Sequence, residues 1–421
     1  MSPLRALLLI PLIASISPVS AATSTSAAAP VRIGAVFPLH GPLAPLARQE
    51  YRGVQIARDM VNAAGGVNGR RIVLVTRELH NPEAAGPVMQ GLKRSGITTV
   101  LGAYSSALSI PASAAAARRE MVYWEAGAVA DRLTGRGLPT VFRVGASGSN
   151  LGANSAHFAA SQLASRLHIP VRRLRITVVH ARDDYADSVA NAAVSRARAA
   201  GMQVVARVQY DPYEPQWSSV IRQVRSSHPN ILILASHIPD GVAFRRAFLA
   251  AHLHVGAFIG STMAQCVPEF GALLGRDAVG VFASDRPGEG FNPAGLQPGA
   301  RSLYNRFASA WRQSGGSDLA VEEGLAGFTA AWVLFHHVLP RATHGSEPGA
   351  AAVSRAARST NLRSGSLPNG AGVRFATDRA HLGQNLRAAA VIWQWQGVRH
   401  SVVVWPSMYA SGHIRMVPLP R

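Results

Sequence analysis

The chain has 421 residues, enough for two or three domains, and 48% of them are hydrophobic, so large cores can form. The 15% of charged residues lies far from the composition of disordered proteins. A single cysteine, Cys266, excludes an intramolecular disulfide and a cysteine-based zinc site. No apolar stretch reaches the ~20 residues that a membrane span requires, so we predict no spanning segment.

Basic residues outnumber acidic ones by 42 to 22, which gives a formal net charge of +20, and every base except Lys93 is an arginine. The arginines are scattered in ones and twos and have no aromatic-rich basic motif beside them, so we predict no nucleic-acid partner. Two interpretations of the charge stay open. It reflects biased composition or an acidic habitat, or it attracts anionic ligands or surfaces.

The N-terminus is typical of an export signal. A short positive segment, residues 1–5, precedes an apolar run at 6–16 and the small residues before Ala21. We predict a signal peptide over 1–21 with cleavage after Ala21, and a flexible leader over 22–30. No cysteine follows the apolar run, which excludes a lipid anchor, and a soluble protein of the bacterial periplasm is expected.

Short β-branched runs alternate with helical patterns along the mature chain, and the alternation restarts after Gly145. The predicted strands are 31–37, 72–75, 98–101, 121–124, 141–144, 174–179, 202–208, 231–235, 257–260 and 279–283. The predicted helices between them are 48–64, 82–95, 111–120, 150–167, 185–199, 218–226 and 242–251. This order predicts an α/β fold with two lobes, each built on a mostly parallel sheet.

The last third of the chain departs from this alternation. Residues 303–313 and 321–339 are predicted helices, and the second is apolar on most faces, so we expect it to be buried. Residues 390–395 and 401–405 form a predicted β-hairpin.

The sequence lacks the common motifs for catalysis and cofactor binding. The sequence contains no G-x-S-x-G elbow, no G-x-G-x-x-G after the first strand and no P-loop. The histidine pairs at 252/254 and 336/337 do not face one way on a helix, so they predict no metal site. Asp183 and Asp184 precede a helix and are predicted to cap it. We therefore predict a binding protein with no catalytic residue, no metal and no cofactor; an enzyme with an unrecognised site remains the alternative.

Ligands of open α/β sheets bind beyond the carboxyl ends of the strands. The loops in that place are 38–46, 103–109 and 125–129 in the first lobe, and 180–185, 236–240 and 261–265 in the second. The small residues of the first-lobe loops predict backbone N–H groups that approach a ligand: Ser105, Ser106, Ala126, Gly127 and Ala128. Helix N-termini behind the loops favour an anionic group such as a carboxylate. The alternative is that these are ordinary loops between strands and helices.

Several segments resemble one known family in the right order along nearly the whole mature chain. The segments are 33–42, 49–53, 62–70, 81–82, 100–106, 133–137, 178–180 with Tyr185, 393–395 and 404–406. The chain resembles the branched-chain amino acid binding proteins of ABC importers; the early block, over 33–42, 49–53 and 62–70, is quite specific, whereas single later matches are not.

The resemblance implies a type I periplasmic binding protein, with two α/β lobes joined by three crossovers near Gly145, Ser284 and Ala389. It implies that residues 31–145 and 284–388 form lobe I, and that 146–283 and 389–421 form lobe II. It further implies a monomer that closes on a small ligand by hinge motion and delivers it to a membrane permease. A periplasmic sensor of the same fold, which signals to a membrane or enzyme partner, is the alternative.

The resemblance also implies site residues, and several depart from the family pattern. Ala107 replaces a serine after the third strand, and Val129 replaces a threonine after the fourth. Thr262 occupies the position of the acidic residue that grips the ligand ammonium. A charged amine would then lose its partner, so a classical α-amino acid is doubtful as a ligand.

Aromatic positions change as well. His237 replaces a second-lobe tyrosine, Tyr185 is kept, and Leu46 occupies the place of the side-chain pocket aromatic. Tyr104 is expected to add an apolar wall. The preferred ligand is a small organic acid or another solute that is apolar with a polar end. It is expected to be held by loop N–H groups and by Ser105, Ser106 and Tyr185, with His237 as a further candidate.

Overall fold

The computed structural model describes residues 29–288, 290–317, 321–343 and 347–416. The predicted signal peptide, 1–21, and residues 22–28 of the predicted leader lie outside the described residues. In the described part of the chain, no helix is both long enough and apolar enough to cross a membrane.

The first sheet has five strands, all parallel, in the order β2-β1-β3-β4-β5. Its elements are β1 (Val31–Phe37), α1 (Ala44–Ala63), β2 (Ile72–Glu78), α2 (Ala85–Arg94), β3 (Thr99–Gly102), α3 (Ser106–Ala117), β4 (Val122–Glu125) and β5 (Val141–Arg143). The central strands β3 and β4 are buried throughout, as expected for a parallel sheet covered on both faces.

The second sheet has seven strands in the order β14-β13-β10-β9-β8-β6-β7. The elements that lead into it are α4 (Gly148–Phe158), α5 (Ala164–Arg166), β6 (Arg175–Ala181), α6 (Asp184–Ala199), β7 (Gln203–Tyr210), α7 (Trp217–Ser227), β8 (Ile231–Ala235), α8 (Ile238–Ala250), β9 (Ala257–Ser261), α9 (Pro268–Leu274) and β10 (Phe282–Asp285). These five strands pair parallel with one another. Asp183 caps α6, because its side chain accepts the N–H of Ala186, and this confirms the predicted cap.

The chain then returns to the first sheet before it completes the second. The remaining elements are α10 (Pro298–Gln313), α11 (Val321–Trp332), α12 (Leu339–Ala342), α13 (Ala350–Ser359), β11 (Asn361–Leu362), β12 (Val373–Arg374), β13 (Val391–Gly397) and β14 (His400–Trp405). Helix α11 packs against α1 at very short range: a Cβ on Gly53 would lie 1.9 Å from the carbonyl oxygen of Gly324, and one on Gly327 would lie 2.0 Å from that of Glu50. Glycine is required at this crossing because the two backbones leave no room for a side chain.

Strands β13 and β14 pair antiparallel, which confirms the predicted hairpin, and β13 extends the second sheet by pairing antiparallel with β10. The predicted α/β architecture of two mostly parallel sheets is confirmed. The division into two lobes at the stated boundaries stays a prediction.

Helices α1, α3, α8 and α10 begin four or five residues before their predicted starts, and the first two starts matter for the predicted site residues. Helix α1 begins at Ala44, a turn before the predicted start at Arg48, so Leu46 lies on a helix. Helix α3 begins at Ser106, five residues before the predicted start, and Pro111 lies inside it. Pro111 lies in the second turn of α3 and has no N–H to donate to the carbonyl oxygen of Ala107, so the helix lacks one hydrogen bond there. The N-terminus of α3 consequently lies directly after the β3 loop.

Candidate functional site

A cavity of about 490 Å³ lies between the carboxyl ends of strands from the two sheets. The first wall comes from the loops after β3 and β4, residues 104–107 and 127–129. The second wall comes from the loops after β6, β8 and β9, residues 182–185, 237–240 and 262–263. The structure brings eight of the ten predicted site residues to this cavity: Tyr104, Ser105, Ser106, Gly127, Ala128, Tyr185, His237 and Thr262.

Leu46 and Ala126 do not line this cavity. Leu46 lines a neighbouring cavity of about 830 Å³, together with Val267 and Glu269 at the beginning of α9. Ala126 is buried beneath the first wall, where its N–H donates to the carbonyl oxygen of Gly102 at 3.3 Å. Leu46 lies in the first turn of α1, and its role as a ligand-binding residue stays a prediction.

The two serines of the first wall differ in their partners. Ser106 Oγ accepts the N–H of Ala130 at 3.1 Å. Ser105 precedes α3 as its N-cap residue, is 7% exposed, and its Oγ has no hydrogen-bond partner in the described part of the chain. The first N–H groups of a helix also have no partner within the helix. The Ser105 hydroxyl and the N-terminus of α3 therefore offer donors to a ligand anion.

The loop after β4 does not present its amides to the cavity, contrary to the sequence prediction. The side chain of Glu125 turns back on its own loop, and its Oε1 accepts the N–H of Gly127 at 2.9 Å and that of Ala128 at 2.7 Å. A Cβ at 127 would come within 1.9 Å of Glu50 Oε2, so a larger residue there would displace the buried carboxyl group of Glu50. These amides hold the loop in place and are not free for a ligand.

Arg286, which the sequence analysis missed, lines the cavity directly after β10. Its Nη1 donates to the carbonyl oxygen of Gly127 at 2.8 Å, and its Nε and Nη2 both lie 2.7 Å from Glu322 Oε1. The guanidinium thus links the second sheet to the first wall and to α11. Arg286 follows the end of a strand, as the other wall residues do, so the same rule could have predicted it. It was missed because β10 was predicted to end at Ala283, two residues too early.

Carboxyl groups are buried around Arg286, and burial changes their acidity. Burial raises the pKa of Glu50 well above its ordinary value, which Arg286 offsets only in part. Burial likewise raises the pKa of Glu125 and of Glu323 to about 7 in each case. Burial alone would lower the pKa of Arg286, but Glu322 and Asp285 raise it above the ordinary value. The arginine is therefore a permanent cation among carboxyl groups that ionise reluctantly.

The second wall is held by Tyr185 and His237. The Tyr185 hydroxyl donates to the carbonyl oxygen of Thr262 and also lies 3.3 Å from that of Ser236. The His237 ring stands edge-on to Tyr185, with ring centroids 5.2 Å apart. Burial raises the pKa of Tyr185 well above its ordinary value, so this hydroxyl stays a donor at physiological pH. Tyr185 thus fixes the loops after β8 and β9 relative to each other.

The sequence pattern that defines the periplasmic binding protein family matches residues 30–394. This chain belongs to that family. The Leu/Ile/Val-binding protein homolog 8 of Brucella abortus (strain 2308) is 29% identical to it over 398 residues, which cover 94% of this chain and 95% of that protein.

Two solved structures of binding proteins share the fold. The branched-chain amino acid transporter substrate-binding protein LivJ of Streptococcus pneumoniae, solved in complex with isoleucine, has a TM-score of 0.69 at 16% identity and covers 90% of this chain and 100% of that chain. The leucine-binding protein LivK of Thermotoga maritima has a TM-score of 0.71 at 18% identity and covers 89% of this chain and 97% of that chain. The predicted type I fold is confirmed by these likenesses.

One group of side chains in the described part of this periplasmic binding protein has the donors of a metal site. Ligand atoms of Cys266, Asp285 and Glu322 lie within 4.8 Å of one another. Arg286 already supplies positive charge there, since its guanidinium lies 2.7 Å from Glu322 and 3.7 Å from Asp285. A cation at this place would meet the guanidinium at close range, so the geometry fits an ion-pair cluster better than a metal centre.

Proposed function

We propose that this periplasmic binding protein captures a small solute with a carboxylate group, an organic acid or an amino-acid-like compound, between its two sheets and delivers it to the permease of an ABC importer. Family membership supports a binding role, and the relative from Brucella is named for binding leucine, isoleucine and valine. The protein works outside the cytoplasm, as the family and the predicted export signal suggest. Ligand binding requires no chemical step, and the protein is not an enzyme.

The observation that carries this proposal is the uncommitted donor set at the N-terminus of α3. Ser105 Oγ is buried without a partner among the described residues, and it lines the cavity at the end of a helix of 12 residues. A carboxylate there accepts the serine hydroxyl and the first amides of the helix, and the helix dipole favours its negative charge. The volume of about 490 Å³ is within the range of small-ligand sites.

The rest of the cavity suits an apolar chain. Leu43, Val129 and Met263 line it together with the rings of Tyr104 and Tyr185. A ligand with an apolar body thus gains from burial, while its carboxylate fixes its orientation.

The test is a thermal-shift screen of the mature protein, from Ala22 onward, against amino acids, aliphatic and aromatic carboxylates, amides and polyols. A ligand at ~100 times its Kd stabilises the folded protein by about 2.7 kcal/mol. We expect carboxylate-bearing compounds to give the shifts, and Ser105→Ala to weaken them. Ser218→Ala, an exposed serine on α7 outside the cavity lining, is the matched control. Stabilisation by polyols or amides alone would contradict the proposal.

Reduced uptake of the identified ligand in cells that lack the protein tests delivery to the permease.

A further inference from the structure

Three carboxylates line the second wall of the cavity, at Asp183, Asp184 and Asp240, and two of them are engaged. Asp184 Oδ2 accepts from Arg132 Nη1 at 3.1 Å. Asp240 accepts from the hydroxyl of Tyr210 and, at 3.1 Å, from the backbone N–H of His237. Of these three, among the residues that the structure describes, Asp183 alone has a buried carboxylate oxygen without a hydrogen-bond partner.

Asp183 is held in position by one of its two carboxylate oxygens. Oδ1 accepts the N–H of Ala186 at 2.9 Å as the cap of α6. Oδ2 is buried and has no hydrogen-bond partner among the residues that the structure describes. The Nε2 of His237 lies 3.7 Å away, beyond hydrogen-bond distance. A buried carboxylate oxygen without a donor is costly, so a donor from the ligand would be strongly favoured.

The first wall of the cavity has free groups of the opposite kind. There, the uncommitted groups are donors, the Ser105 hydroxyl and the beginning of α3. The carbonyl oxygen of Gly127 already accepts from Arg286. The cavity thus offers donors on its first wall and, on its second, a carboxylate oxygen that accepts no hydrogen bond from the described residues and lies 3.7 Å from His237 Nε2. This arrangement is complementary to a ligand with both charges.

We infer that Asp183 binds the protonated amine of the ligand and makes the cavity selective for a zwitterion over the corresponding simple acid; this rests on the proposed function and narrows its ligand class. Thr262, at the position where the resemblance places an acidic residue, lines the same cavity but has no charge to offer. Asp183 supplies that charge from another loop, the one after β6. The amine that the sequence analysis judged unpartnered therefore has a partner.

Arg182 also lines the cavity, and its positive charge would favour an anionic group of the ligand over the amine. Its side chain is exposed, so water and salt screen it, whereas the carboxylate oxygen of Asp183 is buried. A ligand with a second anionic group in place of the amine would depend on Arg182 and not on Asp183. The affinities of variants at Asp183 and at Arg182 distinguish a zwitterionic ligand from a dicarboxylate.

The experiment compares Asp183→Asn with wild type by calorimetric titration. The probes are the twenty standard L-amino acids, followed, for the tightest of them, by the acid that lacks only the α-amine (for L-leucine, 4-methylpentanoate). Asparagine keeps the helix cap and the shape of the side chain, so folding should be retained. Asp187→Asn, on the same helix and outside the cavity lining, removes an equal charge and is the control.

We expect wild type to prefer the amino acid to its deaminated counterpart. Asp183→Asn should weaken amino-acid binding by about 10-fold to 150-fold, the range for a hydrogen bond to a charged group, and change binding of the simple acid by less than about threefold. Asp187→Asn should alter neither affinity by more than about threefold.

The outcomes that overturn the inference are distinct from those that overturn the proposed function. If the simple acid binds wild type as tightly as the amino acid, or if Asp183→Asn weakens both equally, Asp183 does not select for the amine, and the proposed function still stands. A preference for dicarboxylates that Arg182→Gln abolishes would assign the selection to Arg182. If no carboxylate-bearing compound binds, both the proposed function and this inference fail.

Discussion

On the first wall of the cavity, the amides of Gly127 and Ala128 donate to Glu125, and the carbonyl oxygen of Gly127 accepts from Arg286. On the second wall, the hydroxyl of Tyr185 joins two loops, and Asp183 keeps one carboxylate oxygen unpaired. The first wall therefore uses most of its polar groups to hold itself together and is backed by buried charges. The second wall is held by Tyr185 with His237 against it, and it keeps one carboxylate oxygen without a hydrogen bond from the described residues.

This difference shows that residues lining one cavity can have separate roles. Arg286 is 5% exposed and all three of its guanidinium nitrogens contact protein atoms, so it stabilises the fold. Asp183 is half-buried and divides its two oxygens between a helix cap and the cavity. We expect substitution of Arg286, which holds the first wall in place, to change stability, and substitution of the residues with a free polar atom, Ser105 and Asp183, to change affinity.

The largest effect is expected from Arg286→Gln. It leaves Glu322 and Asp285 buried without their cation, and breaking a buried ion pair on one side costs about 3–5 kcal/mol. Denaturant unfolding of the ligand-free protein measures the loss. Asp183→Asn, its counterpart on the second wall, should cost less than about 1 kcal/mol because the cap is kept.

A double variant sharpens this prediction. Adding Glu322→Gln to Arg286→Gln removes the charge left unpaired and should restore part of the stability, as expected for two residues in direct contact. If Arg286→Gln destabilises the protein no more than Asp183→Asn does, the two walls do not differ in the way described.

The next effect depends on pH and comes from Glu125. Burial raises its pKa from 4.5 to about 7, so between these values the folded protein binds a proton that the unfolded chain has released. Stability conferred by the protonated group is present below about pH 4.5 and is lost as the pH rises to about 7. Glu125→Gln lacks this dependence and keeps an oxygen to accept the two amides. Its stability relative to wild type should rise over this pH range by at most about 3 kcal/mol.

Thermal unfolding of both proteins between pH 4.5 and pH 8 checks this. Burial also raises the pKa of Glu323 to about 7, so wild type and Glu125→Gln share some pH dependence of the same sign. Only the difference in stability between the two proteins reports on Glu125. Parallel curves for wild type and Glu125→Gln would show that this carboxyl group titrates normally in the folded protein.

The sequence predicted the fold well because local pattern determines it. The β-branched run 31–37 coincides with β1, and the hairpin at β13 and β14 was predicted from two apolar runs around Gln396-Gly397. The rule that ligands bind at the carboxyl ends of strands also placed most of the predicted residues on one cavity.

The partners of those residues could not be predicted, because they depend on side-chain directions and distant contacts. Nothing local indicates that Glu125 turns back to accept the amides of Gly127 and Ala128, or that Arg286 reaches Glu322, 36 positions away. Asp183 was predicted correctly as a helix cap, but one oxygen suffices for that role. Whether the second oxygen of Asp183 finds a hydrogen-bond partner depends on the folded site and cannot be predicted from local sequence.

The smallest effect on stability is expected at Ser105, and its neighbour provides the comparison. Ser106→Ala removes the acceptor of the Ala130 N–H, so it should cost about 1 kcal/mol of stability, the usual net value of one hydrogen bond. Ser105 Oγ has no partner among the described residues, so Ser105→Ala should change the stability of the ligand-free protein by less than about 0.5 kcal/mol. Paired denaturant titrations without ligand measure both values. A loss of 1 kcal/mol or more at Ser105 would show that its hydroxyl already has a structural partner, and the first wall would then hold no group in reserve for a ligand.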